Sequence, residues 1–229
     1  MFTPAPDAIL IEDLEFQFRG THFAGQVDQQ GKIKKFFNVK IPNALKVIKK
    51  DGSVGQLAFE TRTEMAIYLQ SIGWPVKIRA QKEELRAAMI NSGVNGFEQA
   101  LAFFQNNGVL DDEHIDFHME VRLVYDDPNP KYPAPVVQFA DPVTMQFYPV
   151  DELAVAKLDN ASITKFDALI YPKYWSNDMS KRSGYTVRLG EARVWLASSP
   201  FTNMYPGYTY RNLEEKDISD LIQEDPEEQ

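Results

Sequence analysis

One stretch limits the possible folds more than any other: HIDFHMEVRLVY, residues His114 to Tyr125. Ile115, Phe117, Met119, Val121 and Leu123 occupy every second position, with polar or charged residues between most of them. A period of two buries one face of a strand and cannot bury one face of a helix. The same signature recurs along the chain. Leu14, Phe16 and Phe18 alternate at the end of a strand read over 8–18, and Phe37, Val39 and Ile41 alternate within Lys34 to Ile41. Arg19 to Gly31, with three glycines, reads as the loop joining these two strands into a hairpin.

Further along, Lys50-Asp51-Gly52 marks a turn, and Thr61-Arg62-Thr63-Glu64 opens a helix carrying Met65, Leu69 and Ile72 up to Gly73. Trp74 to Ile78 returns to extended chain. Lys82 to Asn107 reads as two short helices broken at Asn91-Ser92-Gly93, an insertion of about 82–108 packed on the sheet. Asp126 to Pro135 holds four prolines in ten residues and reads as a surface loop. Short strands follow at Val136 to Phe139 and Met145 to Tyr148, then a helix capped by Asp151 and running through Leu158. A long hairpin pairs Ile163–Trp175 with Gly184–Ala197. Neither face of Tyr185–Trp195 is purely apolar, which places a face-switching bulge near Gly190. Many strands with one small helix between them predict a mostly β (α+β) chain. The expected fold is an oligonucleotide-binding (OB)-like five-stranded barrel with a helical insertion, and a β-sandwich is the alternative.

Charge divides the chain into two expected regions. Residues 212–229 carry eight acids against Lys216 alone, whereas the other 25 acids and 23 bases leave residues 1–211 at only -2. The reading is a folded domain over 1–211 and a disordered acidic tail over 212–229. Such a tail serves as an interaction segment or as a solubilising one. With no cysteine there is no disulfide and no thiol chemistry. No apolar run reaches membrane-spanning length, and MFTPAPDAILIEDLEF lacks the basic start of a secretory signal. The expectation is a cytoplasmic protein without membrane contact.

Catalytic signatures are scarce. His114 and His118 would share a metal on a helix, but on a strand they stand about 13 Å apart. Asp51 to Gly55 (DGSVG) lacks the spacer of a nucleophile elbow, and GKIKK has no phosphate-binding glycine loop ahead of it. Acidic pairs such as Asp126-Asp127 and Asp151-Glu152 fit capping and solvation. The expectation is a protein that is not an enzyme, with no metal, cofactor or small-molecule substrate.

Cations interleaved with aromatics are plentiful instead. Lys32, Lys34, Lys35 and Lys40 surround Phe36 and Phe37, with no acid between Gln29 and Lys50. The second hairpin repeats the composition in Tyr171, Lys173, Tyr174, Trp175, Lys181, Arg182, Tyr185, Arg188 and Arg193. Cations neutralise phosphates and release counterions, and aromatic faces stack on unpaired bases. This composition points to single-stranded nucleic acid. Any one of these aromatics could equally be core. The other class of reading is a phage structural or protein-interaction module built as a sandwich or barrel, for which the lysines are a solvated face.

Five short motifs resemble phage-encoded single-stranded DNA-binding proteins with an OB fold and an acidic C-terminal tail. They are Phe23-Ala24-Gly25, Lys35-Phe36-Phe37-Asn38-Val39, LQSIGWPVK (69–77), DALIYPKYW (167–175) and GYTVRL (184–189). The resemblance implies a protein of the host cell cytoplasm that coats single-stranded DNA without sequence preference during phage DNA replication or recombination. Lys32, Lys34, Lys35, Lys40, Lys173, Arg182 and Arg188 would then meet phosphates. Phe36, Tyr171, Tyr174, Trp175 and Tyr185 would stack on bases. Ile218, Leu221, Ile222, Glu224 and Asp225 in the tail would contact phage or host replication proteins. Two features depart from the pattern: the 82–107 insertion, and a tail ending in Pro226-Glu227-Glu228-Gln229 where relatives end in an aromatic.

Overall fold

The computed structural model describes residues 7–129, 131–141, 144–177 and 181–197. The expectations for Ile218, Leu221, Ile222, Glu224 and Asp225 therefore lie outside the described residues. The chain begins with strands β1 (Ala8–Ile11), β2 (Phe16–Val27), β3 (Ile33–Lys40), β4 (Ala44–Ile48) and β5 (Val54–Ala58). Helix α1 (Arg62–Ser71) leads to β6 (Lys77–Ala80), and helices α2 (Glu83–Asn91) and α3 (Phe97–Asn106) lead to β7 (Ile115–Leu123). β8 (Val136–Ala140), β9 (Phe147–Val150) and α4 (Glu152–Ala156) follow, then a 3-10 turn over Lys157–Asn160, β10 (Ile163–Asn177) and β11 (Arg182–Leu196). The protein is mostly β, an α+β chain, as the alternation predicts.

Among the described residues eleven strands join one sheet; β6, β8 and β9 branch from it, and the other eight follow the order β2-β3-β7-β11-β10-β1-β4-β5. All these neighbours are antiparallel except β7 and β11, which run parallel. Only residues 12–15 separate β1 from β2, and they bond to both sides. Leu14 N–H donates to the Phe166 carbonyl of β10 (2.9 Å), while the Glu15 carbonyl accepts from Lys40 N–H of β3 (2.9 Å). The pairing path thus returns to the stretch where it began.

Beneath these strands the odd residues of β7 do what their spacing demands: Ile115, Phe117, Met119, Val121 and Leu123 are all buried. Phe37 meets Phe23 at 5.5 Å and Phe166 at 5.4 Å between ring centroids, with Phe16 edge-on at 5.6 Å. The 3-10 turn is fastened against β2 by Asp159, whose carboxylate accepts from Phe23 N–H (2.9 Å) and Ala24 N–H (2.8 Å). These charge-assisted bonds satisfy two backbone donors where the long strand changes register.

Several boundaries match the sequence reading. Thr61 closes a capping box with Glu64 at the start of α1, and Asp151 caps α4 by accepting from Ala154 N–H (2.7 Å). The insertion is two helices, and α3 anchors it by burying Phe97, Ala100 and Phe104, with Phe97 6.3 Å from Phe117 of β7. The bulge near Gly190 is present. Leu169 pairs with Glu191 and Ile170 with Leu189, so Gly190 is the extra residue. Val187 and Leu189 are buried before it, Ala192 and Val194 after it. A Cβ at Gly190 would lie 3.3 Å from the Tyr171 ring, so the bulge brings that aromatic against bare backbone.

Other boundaries differ. Residues 19–27 continue β2 instead of forming a loop. Their pairing with β3 slips between Phe16 and Thr21 and again between His22 and Gln26, which erases the alternation a strand should show. Gly25 carries the second irregularity at φ +104°, a conformation side chains disfavour. The β4–β5 hairpin around Lys50-Asp51-Gly52 is additional to the expected strands. The predicted strand at Met145 begins at Phe147, because Met145 sits at φ +58°. The helix expected through Leu158 tightens into the 3-10 turn after Ala156.

Candidate nucleic-acid interface

Strand register builds a surface that no single segment contains. On β3, Phe37 faces the core and Phe36 therefore faces outward. Phe36 pairs with His22 of β2 on one side and with Arg122 of β7 on the other. Arg122 pairs with Arg188 of β11, and Arg188 with Tyr171 of β10. His22, Phe36, Arg122, Arg188 and Tyr171 thus form one row across five neighbouring strands, all half-buried. Their inward neighbours Phe23, Phe37, Val121, Val187 and Ile170 are buried. At an inter-strand spacing of about 4.8 Å, the row is roughly 19 Å wide. The His22 and Phe36 rings lie 4.6 Å apart.

Tyr171, at the far end, is stacked against Tyr132, with ring centroids 6.1 Å apart and planes within 9°. Lys173 lies two residues along the same face of β10, its Nζ 4.4 Å from the Tyr132 ring centroid. Asp127 accepts from Lys173 Nζ and, at 2.8 Å, from Arg188 Nη2. The bond from Lys173, a backbone bond from Asn129 and the two cationic charges hold the Asp127 carboxyl at about 2. At the middle of the row, Arg122 Nε donates to Glu120 (2.9 Å).

Beside the row opens a cavity of about 460 Å³ whose lining includes Lys34, Lys35, Arg122, Tyr125, Glu152 and Arg188. Lys34 pairs with Asp28 at 2.8 Å, and Lys35 pairs with Glu152 at the start of α4. The Tyr125 hydroxyl is buried without a hydrogen-bond partner. Burial, reinforced by Glu152 and Asp151, pushes its pKa up to about 12, so this phenol is neutral at any ordinary pH. Five cations near the row, Lys34, Lys35, Arg122, Lys173 and Arg188, face four partner carboxylates. The Lys34, Lys35 and Arg122 pairs are partly solvated and individually weak, so a phosphate competes for these cations at small cost, whereas the Asp127 side chain that holds Lys173 and Arg188 is buried.

The residues singled out from sequence divide three ways. Phe36, Tyr171, Lys173 and Arg188 come together on or next to the row, with Lys34 and Lys35 at its cavity side. Trp175 shares the outer face of β10, its indole packed over Gly184, and Tyr174 and Tyr185 meet edge-to-face at 5.6 Å on the opposite face. Lys32, Arg182 and Lys40 stand apart. Lys32 is exposed in the turn before β3, and Arg182 is exposed at the start of β11. Lys40 lies further along β3, 3.7 Å from both Glu15 and Asp116. Sequence reading missed His22, Arg122 and Tyr132. Arg122 had a usable signal, since an inward Val121 and Leu123 force it outward. Among the described residues, no three His, Asp or Glu side chains gather into a metal-binding group. Likewise no described helix is long and apolar enough to cross a membrane.

The fold and surface define a β-rich α+β protein with an aromatic and cationic row across its central strands. No protein-family model matches the chain, and no curated protein matches it in sequence. Among solved structures it is similar to gp2.5, a single-stranded DNA-binding protein encoded by bacteriophage T7, at 10% identity. The alignment covers 97% of this chain and 99% of that one with a TM-score of 0.28.

Proposed function

We propose that this protein binds and coats single-stranded DNA without sequence preference, as a non-enzymatic component of phage DNA replication or recombination in the host cytoplasm. The observation that supports it is the row His22–Phe36–Arg122–Arg188–Tyr171, in which aromatic faces flank paired guanidiniums on a continuous outer surface. Aromatics accept unpaired bases of any identity at about 1–3 kcal/mol each, and Arg and Lys meet the phosphates. On this reading the ring of pairings through β1/β2, β3, β7, β11 and β10 is an OB-type barrel. The strand lies across its outer face, and α4 with the 3-10 turn sits between the third and fourth barrel strands. Residues 1–211 act as the binding domain, and the acidic residues 212–229 modulate binding and contact replication partners.

A second reading, a protein-interaction module, draws on a different feature. β5 is the last strand of the sheet order, and beside it Phe59, Ile67 and Tyr68 line an apolar groove. Titration of a fluorescent oligothymidine and a matching duplex, at two salt concentrations, separates the two. Preference for the single strand with affinity falling as salt rises is the expected result; indifference to both nucleic acids favours the interaction module.

A further inference from the structure

β7 and β8 take turns on one edge of β11. β7 pairs with Val187 and Arg188, and β8 pairs, also in parallel, with Glu191 to Val194. The chain between them is therefore an excursion out of a single lane, and two of its side chains come to rest on the row. The Tyr132 ring lies parallel to Tyr171. The Asp127 carboxylate, with its side chain only 5% exposed, sits where Lys173 and Arg188 converge. One aromatic plane against Tyr171 and one anion between two cations are what a nucleotide would supply, as base and phosphate. We propose that Asp127 and Tyr132 hold the place of one nucleotide, and that a single strand takes the Tyr171–Lys173–Arg188 subsite by displacing them. This deepens the single-strand reading and rests on it.

The two mimicking groups belong to one small unit. Asp127 also accepts from Asn129 N–H (3.0 Å), and Tyr132 N–H donates to the Asn129 carbonyl (3.0 Å). Loss of either mimic therefore loosens both. The consequence is that wild-type affinity is set partly by this internal competitor, so removing it tightens binding. A purely supporting Asp127, one that merely orients Lys173 and Arg188, has the opposite consequence.

The test compares the full-length protein with Asp127→Asn, Tyr132→Ala and the neighbouring charge control Asp126→Asn, each first checked for a cooperative unfolding transition. The probe is a labelled oligothymidine of about 12 nucleotides, within the range one OB-type domain accommodates. Removing one ion-paired carboxylate or one stacking contact raises the fraction of the subsite open to a strand, which predicts that Asp127→Asn and Tyr132→Ala bind about three- to tenfold tighter. Asp126→Asn changes affinity less than about twofold, because it removes the same charge without the contact. Adding Tyr171→Ala to Tyr132→Ala abolishes the gain. Equal or weaker binding by both Asp127→Asn and Tyr132→Ala, with wild type still binding, overturns the nucleotide mimic and leaves the single-strand reading standing. So does an Asp126→Asn gain as large as that of Asp127→Asn, since general charge would then explain it. Failure of wild type and all variants to bind sinks both.

Discussion

Phe36 and Phe37 are neighbours in sequence, yet their register sends them to opposite sides of β3, so replacing each should produce opposite phenotypes. Phe37 is fully buried among Phe16, Phe23 and Phe166. Truncating a phenylalanine in such a setting costs about 3–5 kcal/mol, combining lost transfer energy with the cavity left behind. Phe36 is half-buried and touches His22. Its loss removes a smaller area, worth about 1 kcal/mol of stability at the usual cost per unit area. If it stacks on a base, however, binding falls by about 1–3 kcal/mol, which is about 5- to 150-fold in affinity. The pair Phe36→Leu and Phe37→Leu keeps both proteins folded enough to compare, and the Ala versions give the full stability difference. Urea unfolding measures stability, and oligothymidine titration at one salt concentration measures binding. Phe36→Leu should lose binding and keep most of its stability, and Phe37→Leu should do the reverse. Intact binding in Phe36→Leu, with binding lost in a folded Phe37→Leu, would refute the assignment of faces.

Three further outcomes follow from individual sites. Arg122→Ala should lower the slope of log affinity against log salt by about one, as for the loss of one phosphate contact, and an unchanged slope would remove Arg122 from the interface. Burial, with Lys77 and Arg79 nearby, pulls the His118 pKa from 6.5 to about 4. The unfolded chain therefore binds more protons between those values, so this stability is complete above 6.5 and is lost as pH falls from 6.5 to 4. The shift corresponds to about 3 kcal/mol. Urea unfolding at pH 4.5 and 7 should show His118→Gln with a flatter dependence than wild type; equal dependence contradicts it. Gly25→Ala places a Cβ 2.4 Å from Ile33 Cγ2 at φ +104°, whereas Gly31→Ala at φ +76° meets nothing within 4 Å. Both strain the backbone by about 1 kcal/mol or more, and Gly25→Ala should be the more destabilising in thermal unfolding.

How much was legible in the sequence depended on whether a feature was local. The alternation of β7 and the mixed faces around Gly190 are properties of consecutive residues, and both are present in the structure. β2 was half hidden, because two register slips within twelve residues break its period and Gly25 imitates a loop. β4 and β5 were missed because five residues each leave too little alternation to register against the Lys50-Asp51-Gly52 turn. The row was legible only in its members. Composition pointed to Phe36, Tyr171, Lys173 and Arg188, but joining them to Arg122 and His22 requires knowing that β7 lies between β3 and β11. Counting lysines also overstated the positive field, since Lys34, Lys35 and Lys173 each sit against a carboxylate from elsewhere in the chain. Tyr132 sits in the proline-rich excursion, where no periodicity marks which side chains turn back onto the sheet.

Photo-crosslinking shows where on the protein a bound single strand lies. Oligonucleotides carrying 5-bromodeoxyuridine would be irradiated with the full-length protein, digested, and the adducts assigned by mass spectrometry. A strand lying across the row leaves adducts at Phe36 and Tyr171, with His22 beside them, and these are lost when unlabelled single strand, but not duplex, is added in excess. Adducts concentrated elsewhere, for instance at Trp195 and Phe147 with none on the row, would contradict that placement.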